Sequence, residues 1–413
     1  MKEKTLSMLL AVILILISTI YPVMGTSYSN QHFNSTSMIP HQYFTYSEMT
    51  DLLHTLQENY SDIMLLESIG TTYEGRNVWM VKLSDNVNED EDEPGVLLMG
   101  AHHGNEKPSF EALIFFIQHM VENYGKENTD DDEDGQINED PIDGSDNDND
   151  GLVDEDPSED RVRNVIDNTQ IFLIPMVNPD GVEYTDNRND GWRKNRNPKE
   201  GQTDNIGVDL NRNYAYKWEL YDIFPGPYGD SWTSNPESWN YRGEYPFSEN
   251  ESTAVKKFVE SEDINISLSY HSYGEFIIYP WMHTSQYTPD EDLFISIGEG
   301  MASISKYDFN KGKGTFIPWP GGTIGTSENW LYGERNILSF TIELCRTRAP
   351  TNPSIVYKYC LAHVGVNLYV CERSPDIQVD KKIVANPYSP VSLRLMLVLC
   401  NMVVGNKNII ENI

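Results

Sequence analysis

Three side chains of this 413-residue chain have the types that bind zinc. His103 and Glu106 are separated by two residues in the segment MGAHHGNE, and His271 occurs in SLSYHSYGEFIIYPW. A hydrolytic zinc site uses three protein ligands, leaves one coordination position for water and needs a carboxylate that takes a proton from that water. The residue types and spacing therefore predict a site for one Zn²⁺ ion bound by His103, Glu106 and His271.

These candidate ligands directly follow segments that read as buried strands. Apolar runs and apolar alternation predict strands, and helical spacing of apolar residues predicts helices. The predicted strands are residues 63–69, 78–83, 96–100, 170–177 and 264–270, and the predicted helices are 46–60 and 108–124. This alternation of strands and helices predicts an α/β domain with a mostly covered sheet, in which the ligands lie where strands end.

The composition limits the classes of function. The chain has 64 acidic and 30 basic residues, a formal net charge of −34, and a hydrophobic content of 39%. This charge disfavours nucleic acids and anionic membranes as partners, and the apolar content excludes disorder throughout. The cysteines, Cys345, Cys360, Cys371 and Cys400, form no CxxC pair. We expect at least two free, buried thiols, with a Cys345 to Cys360 bridge as the alternative.

The first 25 residues read as an export signal. Lys2 and Lys4 precede an apolar run at 6–20, and small residues precede Thr26. The run is shorter than the about 20 residues that a spanning helix needs, so secretion is preferred to a membrane anchor. We therefore expect an extracellular protein, with a polar lead at 26–42 after the signal.

An acidic insert, residues 127–160, follows the second predicted helix, and in it DEDGQINEDP recurs as DNDGLVDEDP. In each copy alternate carboxylates precede a glycine, as calcium loops require. These are Asp130, Asp132, Asp134, Asp146, Asp148 and Asp150. A proline stands where an EF-hand has its bidentate Glu, so the insert is more similar to the short Asp-rich calcium repeats of extracellular modules. The alternative is a solvated acidic loop without an ion.

Seven segments occur in an order that resembles the zinc carboxypeptidase family of the carboxypeptidase A and B type. They are TYEGRNVW, HHGNE, IPMVNPDGVEY, WRKNRNP, GVDLNRNY, SYHSYGEFIIYPW and SFTIEL, within residues 43–373. The resemblance implies a single large catalytic domain with a mixed, mostly covered sheet flanked by helices, to which the insert is an addition. It also implies an enzyme that removes residues from the free C-termini of peptides or proteins. The tail, 374–413, has no assigned role, and its apolar run is too short to span a bilayer.

The same resemblance implies roles for residues beyond the metal ligands. Glu343 in SFTIEL would be the general base that activates zinc-bound water, and Arg196 in WRKNRNP would stabilise the oxyanion. Asn211 and Arg212 in GVDLNRNY would bind the terminal carboxylate of the substrate. Asp209 would orient the first histidine ligand.

Specificity is predicted from Glu328, at the position that faces the substrate's last side chain in the resembling family. A carboxylate buried there is costly unless it is paired, which predicts a preference for C-terminal Lys or Arg. The loop before Glu328 is about two residues longer than is usual in that family. If this shifts the register, Glu328 would face solvent and Thr326 or Asn329 would line the pocket. The loop also lacks the family's tyrosine, with Trp319 nearest in position.

Two other functions are compatible with these residues. One is an amidase of similar fold that acts on cell-wall peptides or acyl amino acids. The other is a calcium-dependent binding protein that has lost activity. The complete ligand set with Glu343 and Arg196 counts against the inactive protein. The pair Asn211 and Arg212 counts against substrates without a carboxylate terminus.

Overall fold

A computed structural model describes residues 43–125, 159–188, 191–219, 233–284, 286–306, 308–309 and 323–379. The predicted export signal, the polar lead, both calcium-like repeats, Trp319 and the tail beyond residue 379 lie outside these ranges. Within them, none of the helices has both the length and the apolar character needed to cross a membrane.

The described residues form helices and strands in alternation. In chain order the elements are α1 (Tyr46–Asn59), β1 (Met64–Thr71), β2 (Asn77–Leu83), β3 (Gly95–Met99), α2 (Pro108–Asn123), α3 (Glu159–Ile166), β4 (Gln170–Ile174), α4 (Pro179–Arg188), α5 (Asn250–Ser261), β5 (Ile264–Ser272), β6 (Phe276–Ile278), α6 (Glu291–Ser305), β7 (Asp308–Phe309), α7 (Ser327–Arg335), β8 (Leu338–Leu344) and α8 (Pro353–Arg373). Short 3₁₀ helices occur at Leu210–Arg212 and Ser374–Asp376. The predicted α/β architecture is confirmed.

The described strands form one mixed sheet in the order β1-β2-β4-β3-β5-β8-β6-β7. The four central strands β4, β3, β5 and β8 are parallel, whereas β1, β2 and β4 pair antiparallel, as do β8 and β6. The carboxyl ends of parallel strands meet at one edge of a sheet, which is where open α/β sheets bind ligands. The topology thus brings the ends of β3, β5 and β8 together.

Helices cover the sheet and bury its central strands. Leu97 and Met99 of β3 belong to a core cluster with Val255 of α5 and Trp330 of α7. Since side chains alternate along a strand, Val96 and the other even-numbered residues of β3 point to the opposite face. There α2 contacts β3 and β5 and packs against α8. Burial from both sides explains why these strands read as continuous apolar runs.

The state of the cysteines and the presence of the last long helix, α8, follow from this packing and not from the sequence pattern. Cys345, Cys360 and Cys371 are buried free thiols, so the alternative of a Cys345 to Cys360 bridge does not hold. Helix α8 was not predicted from the sequence, because burial on several faces weakens the helical period of its apolar residues. Its local signals were nevertheless present: Asn352 caps the helix by accepting from Ser354 N, and Pro353 occupies the first turn.

Candidate metal and catalytic site

His103 and Glu106 lie in the turn that follows β3, and His271 is the second-last residue of β5. The turn after β3 can pack closely against the backbone of Gly181 because Gly104 has no side chain. A Cβ at Gly104 would come within 2.3 Å of the backbone of Gly181. Gly104 N also donates to Arg193 O at 3.1 Å, which fixes the turn against the loop after α4.

The three candidate ligands converge on one point. Their ligand atoms all lie within 4.8 Å of one another, and the residues are 3%, 4% and 2% exposed for His103, Glu106 and His271. Nδ1 of each histidine lies 2.9 Å from an oxygen of Glu106, and the two Nδ1 atoms are 3.1 Å apart. Two buried imidazole nitrogens and a carboxylate that face each other this closely match the donor set of a catalytic Zn²⁺ site.

The first histidine is held from behind by a buried ion pair. His103 Nε2 lies 3.0 Å from Asp209 Oδ1, and Arg193 Nε donates to Asp209 Oδ2 at 2.9 Å. Although burial opposes ionisation, Arg193 and His103 hold the pKa of Asp209 well below its usual value. Arg193 also donates to Glu106 Oε1 at 3.2 Å. This arrangement fixes the ring so that Nδ1 points at the other ligands.

Arg193 was not singled out as a site residue from the sequence. Its signal was available, because it is the other arginine of the segment WRKNRNP. Only its contacts with Glu106 and Asp209 distinguish it from Arg196.

A second buried chain of polar groups holds His271. Its Nε2 lies 3.2 Å from Ser269 Oγ, which in turn lies 3.4 Å from His102 Nδ1. His102 Nε2 lies 2.9 Å from Tyr214 OH, and its ring stacks on His271 with centroids 5.5 Å apart. Ser269, His102 and Tyr214 were not predicted from the sequence. His102 directly precedes His103, and the HxxE spacing drew attention to His103 and Glu106 alone.

Glu343 of β8 lies beside His271 on the neighbouring strand β5. The parallel pairing of β5 and β8 sets His271 directly opposite Glu343, so both side chains are on the same face. Burial, and secondly the charge of Glu106, raise the pKa of Glu343 well above its usual value, while Arg193 opposes the rise. A carboxyl group in this environment can hold a proton at a pH where an exposed glutamate would not.

Asn211 and Arg212 lie in the 3₁₀ helix that Asp209 caps. Asn211 Oδ1 accepts from Ser327 N at 2.8 Å, and its Nδ2 lies 3.3 Å from His271 Nε2. The half-buried Arg212 donates from a terminal guanidinium nitrogen to Asn211 O at 2.6 Å. Close packing of the loop before α7 on this helix needs Gly325, whose φ is +72° and where a Cβ would meet Arg212 O at 2.1 Å.

Arg196 has a different setting from Arg193. Its guanidinium carbon lies 3.5 Å from the ring centroid of Tyr184 and 4.7 Å from that of Trp192. Its Nε is 4.0 Å from a carboxylate oxygen of Glu74. The aromatic rings and the carboxylate hold this cation at a defined place in the loop after α4.

Glu328 is completely buried, at 0% exposure, so the alternative in which it faces solvent is wrong. Its Oε2 accepts from Ser327 Oγ at 3.3 Å, whereas its Oε1 has no hydrogen-bond partner among the described residues. The same holds for the hydroxyl of Thr326. Asn329, in contrast, accepts from Met282 N at 3.1 Å and donates to Thr323 O at 3.3 Å. Of the three candidates, Glu328 and Thr326 therefore have side-chain oxygens without a partner among the described residues.

Tyr332 of α7 does not take the place of the family tyrosine that is missing from the preceding loop. The hydroxyl of Tyr332 donates to Asp290 Oδ2 at 2.6 Å, and the residue is buried.

Comparisons with known proteins identify the relatives of this arrangement. Residues 49–363 match the zinc carboxypeptidase family. The chain is 28% identical to a zinc carboxypeptidase of Saccharothrix mutabilis subsp. capreolus over 310 residues and 28% identical to carboxypeptidase A1 of Mus musculus over 305 residues. Each alignment spans 73% of this chain but only 62% of the relative. The structure superimposes on thrombin activatable fibrinolysis inhibitor with a TM-score of 0.65 at 23% identity, covering 83% of this chain and 76% of that one.

Proposed function

This chain belongs to the zinc carboxypeptidase family, and on that premise we propose that it is a zinc-dependent carboxypeptidase that hydrolyses the C-terminal peptide bond of peptides or proteins. The observation that carries the proposal is the convergence of His103, Glu106 and His271 beside Glu343. Hydrolysis by an activated water requires at least a set of metal ligands with a carboxyl group next to it.

We assign the proton transfers to Glu343. A bound zinc ion would supply Lewis acidity, which polarises the scissile carbonyl and lowers the pKa of water. Glu343 takes the proton of the attacking water and gives it to the leaving amine. Its position opposite His271, beside the candidate metal ligands, supports this role.

The two arginines of the loop after α4 have separate tasks in this proposal. Arg193 is committed to Glu106 and Asp209 and keeps the ligands in place. Arg196 stabilises the negative charge that develops on the carbonyl oxygen. A fixed cation in a water-excluded site contributes on the order of 3 kcal/mol to such a transition state.

Arg212, with the amide of Asn211 beside it, recognises the free carboxylate at the end of the substrate. Arginine pairs with carboxylates through two parallel hydrogen bonds, which also fixes their orientation. The requirement for this carboxylate distinguishes a carboxypeptidase from an amidase of similar fold that acts on substrates without a carboxylate terminus.

The test of this function compares one peptide in two forms, with a free C-terminal carboxylate and with a C-terminal amide. We expect the zinc-loaded protein to release the last residue of the free form only, and a zinc chelator to abolish the release, with both followed by mass spectrometry. Cleavage of the amidated form at a similar rate would favour an amidase. Absence of cleavage of any peptide by the zinc-loaded protein would favour the calcium-dependent binding protein.

We further propose that the enzyme prefers substrates that end in Lys or Arg. The support is the buried carboxylate of Glu328, one oxygen of which has no partner within the described ranges. An incoming cation would pair with this oxygen, whereas an apolar side chain would leave it desolvated and unpaired. Glu328 also lies close enough to the catalytic groups for its charge to contribute to the raised pKa of Glu343.

Substituting Glu328→Ile should reverse this preference. We expect the native enzyme to have a higher kcat/KM on peptides ending in Arg than on matched peptides ending in Leu or Phe, by about tenfold or more, and the variant to prefer Leu or Phe. The matched control is Glu334→Gln, which removes a charge from the exposed side of the same helix. A native preference for Phe or Leu, or an unchanged ranking in Glu328→Ile, would show that Glu328 does not determine specificity.

We also propose that the protein acts outside the cell and that its acidic insert binds calcium. The support for both is in the sequence: the charged and apolar pattern of residues 1–25, and the paired Asp-rich repeats within 127–160.

A further inference from the structure

A second group of metal-type side chains lies away from the zinc-type site, in the loop that joins β2 to β3. The carboxylates of Asp85, Glu91 and Glu93 have ligand oxygens within 4.8 Å of one another. All three residues are partly buried, unlike the exposed Asp90 and Asp92 of the same loop. The loop therefore turns three of its acids inward, where like charges repel.

Two oxygens at this cluster have no hydrogen-bond partner in the described part of the chain. They are Asp85 Oδ1 and Glu93 Oε2, which are inaccessible to solvent. Among the described residues, the donors to Glu91 are neutral: Asn86 Nδ2 at 2.9 Å and Ser84 Oγ at 3.4 Å. Native proteins rarely leave buried carboxylate oxygens unsatisfied, and such oxygens are ordinary ligands of a cation.

A buried amide provides an independent indication of a ligand. Gln170 is 2% exposed, and its Oε1 has no hydrogen-bond partner among the described residues. Its Nε2 donates to Glu91 O at 2.9 Å and its backbone N donates to Pro94 O at 3.2 Å. These bonds hold the side chain against the 91–94 segment, where the carboxylates converge, and leave an amide oxygen there without a donor.

The neighbouring charges neutralise the cluster only in part. Lys82 lowers the pKa of Glu93, but its Nζ donates to Glu89 O at 2.5 Å and it is one cation against three carboxylates. Asp167 adds negative charge from the end of α3, although it accepts hydrogen bonds from Tyr124 and Arg163. Burial, followed by the charges of Glu91 and Asp85, raises the pKa of Glu93 to about 7. The cluster would gain stability from any cation that replaces this repulsion with attraction.

We propose that Asp85, Glu91, Glu93 and the amide oxygen of Gln170 form a binding site for a divalent cation, and that this cation is Ca²⁺. The donors are all oxygens, without the imidazole or thiolate that zinc prefers. Calcium also accepts mixed carboxylate and amide ligands in irregular loops, whereas Mg²⁺ demands near-ideal octahedral geometry. A bound cation would link the β2–β3 loop to Gln170 at the start of β4. It does not depend on the proposed peptidase activity or on the acidic insert.

The test measures amide hydrogen exchange in residues 84–94 of the zinc-loaded, full-length protein, with Ca²⁺ titrated into buffer freed of calcium by a chelating resin. We expect saturable slowing of exchange in this loop. Glu93→Gln and Asp85→Asn should each weaken the apparent calcium affinity by about tenfold or more, because each removes a charged ligand. In calcium-free buffer Glu93→Gln should raise Tm, because it relieves repulsion. The matched control Asp92→Asn removes an exposed charge from the same loop and should change the affinity by less than about twofold.

Three results would overturn the proposal. The first is the absence of any calcium effect on exchange in the loop of the native protein. The second is an equal loss of affinity in Asp92→Asn and Glu93→Gln, which would indicate a general charge effect. The third is loss of the loop's response in a variant with Asp132→Asn and Asp148→Asn, which would place the calcium site in the insert.

Discussion

Replacement of Glu343 by Gln is expected to lower kcat/KM by at least about 10³-fold while the protein still binds zinc. The amide keeps the shape of the side chain but cannot accept the proton of water or deliver one to the leaving amine. In the metal-free protein stability should not fall, because burial and Glu106 already disfavour the charged form of Glu343, and the neutral amide escapes that penalty. The measurements are steady-state kinetics on a free C-terminal peptide, zinc content by mass spectrometry and thermal unfolding.

Zinc content decides between proton transfer and coordination in this experiment. Because Glu343 is assigned to proton transfer, the variant should retain the zinc stoichiometry of the native protein. Loss of zinc in parallel with activity would mean that Glu343 is a metal ligand. Retention of most of the activity would assign the general base to another residue.

Asp209→Asn is expected to damage both the metal site and the fold. The carboxylate lies 3.0 Å from His103 Nε2 and 2.9 Å from Arg193 Nε, and it is completely buried. The amide cannot compensate the charge of Arg193, and breaking a buried pair typically costs about 3–5 kcal/mol in the free energy of unfolding. Loss of the group that orients a histidine ligand should weaken zinc affinity by about 10–100-fold. Chelator competition measures the affinity, and denaturant unfolding measures the stability.

The control for this variant is Asp204→Asn, at an exposed position five residues earlier in the same loop. It removes the same charge and should leave zinc affinity and unfolding unchanged. A native-like zinc affinity in Asp209→Asn would refute the positioning role of Asp209. Similar losses of zinc affinity and stability in both variants would show that the effect comes from the net charge of the loop and not from the position of Asp209.

The sequence by itself determined the chemistry and the class of fold. Residue type is a local property, so two histidines and a glutamate after apolar strands already predicted the three residues that the structure brings together. The strand runs of β3 and β5 predicted a covered α/β sheet because burial on both faces requires continuous apolar residues. In the same way, the spacing of apolar residues predicted α1 and α2. Both predicted helices begin at the observed residue and end one residue later than the observed helix.

Only the tertiary structure decided which polar residues support the site. Arg193 and Arg196 are three residues apart in one motif, yet one pairs with Glu106 and Asp209 while the other packs on Tyr184 and Trp192. Local sequence cannot make this distinction, because it depends on which distant segment each guanidinium meets.

The same reason applies to the buried carboxylates. Nothing in the sequence distinguishes Glu93 from the exposed acids beside it, and only the structure excludes the alternative that Glu328 faces solvent. Burial converts a solvated charge into one that needs a partner, since desolvation costs free energy that only a cation or a donor can offset. The sequence therefore predicted the donor set of the candidate metal site, and the long-range packing decided which of the many acids are removed from solvent.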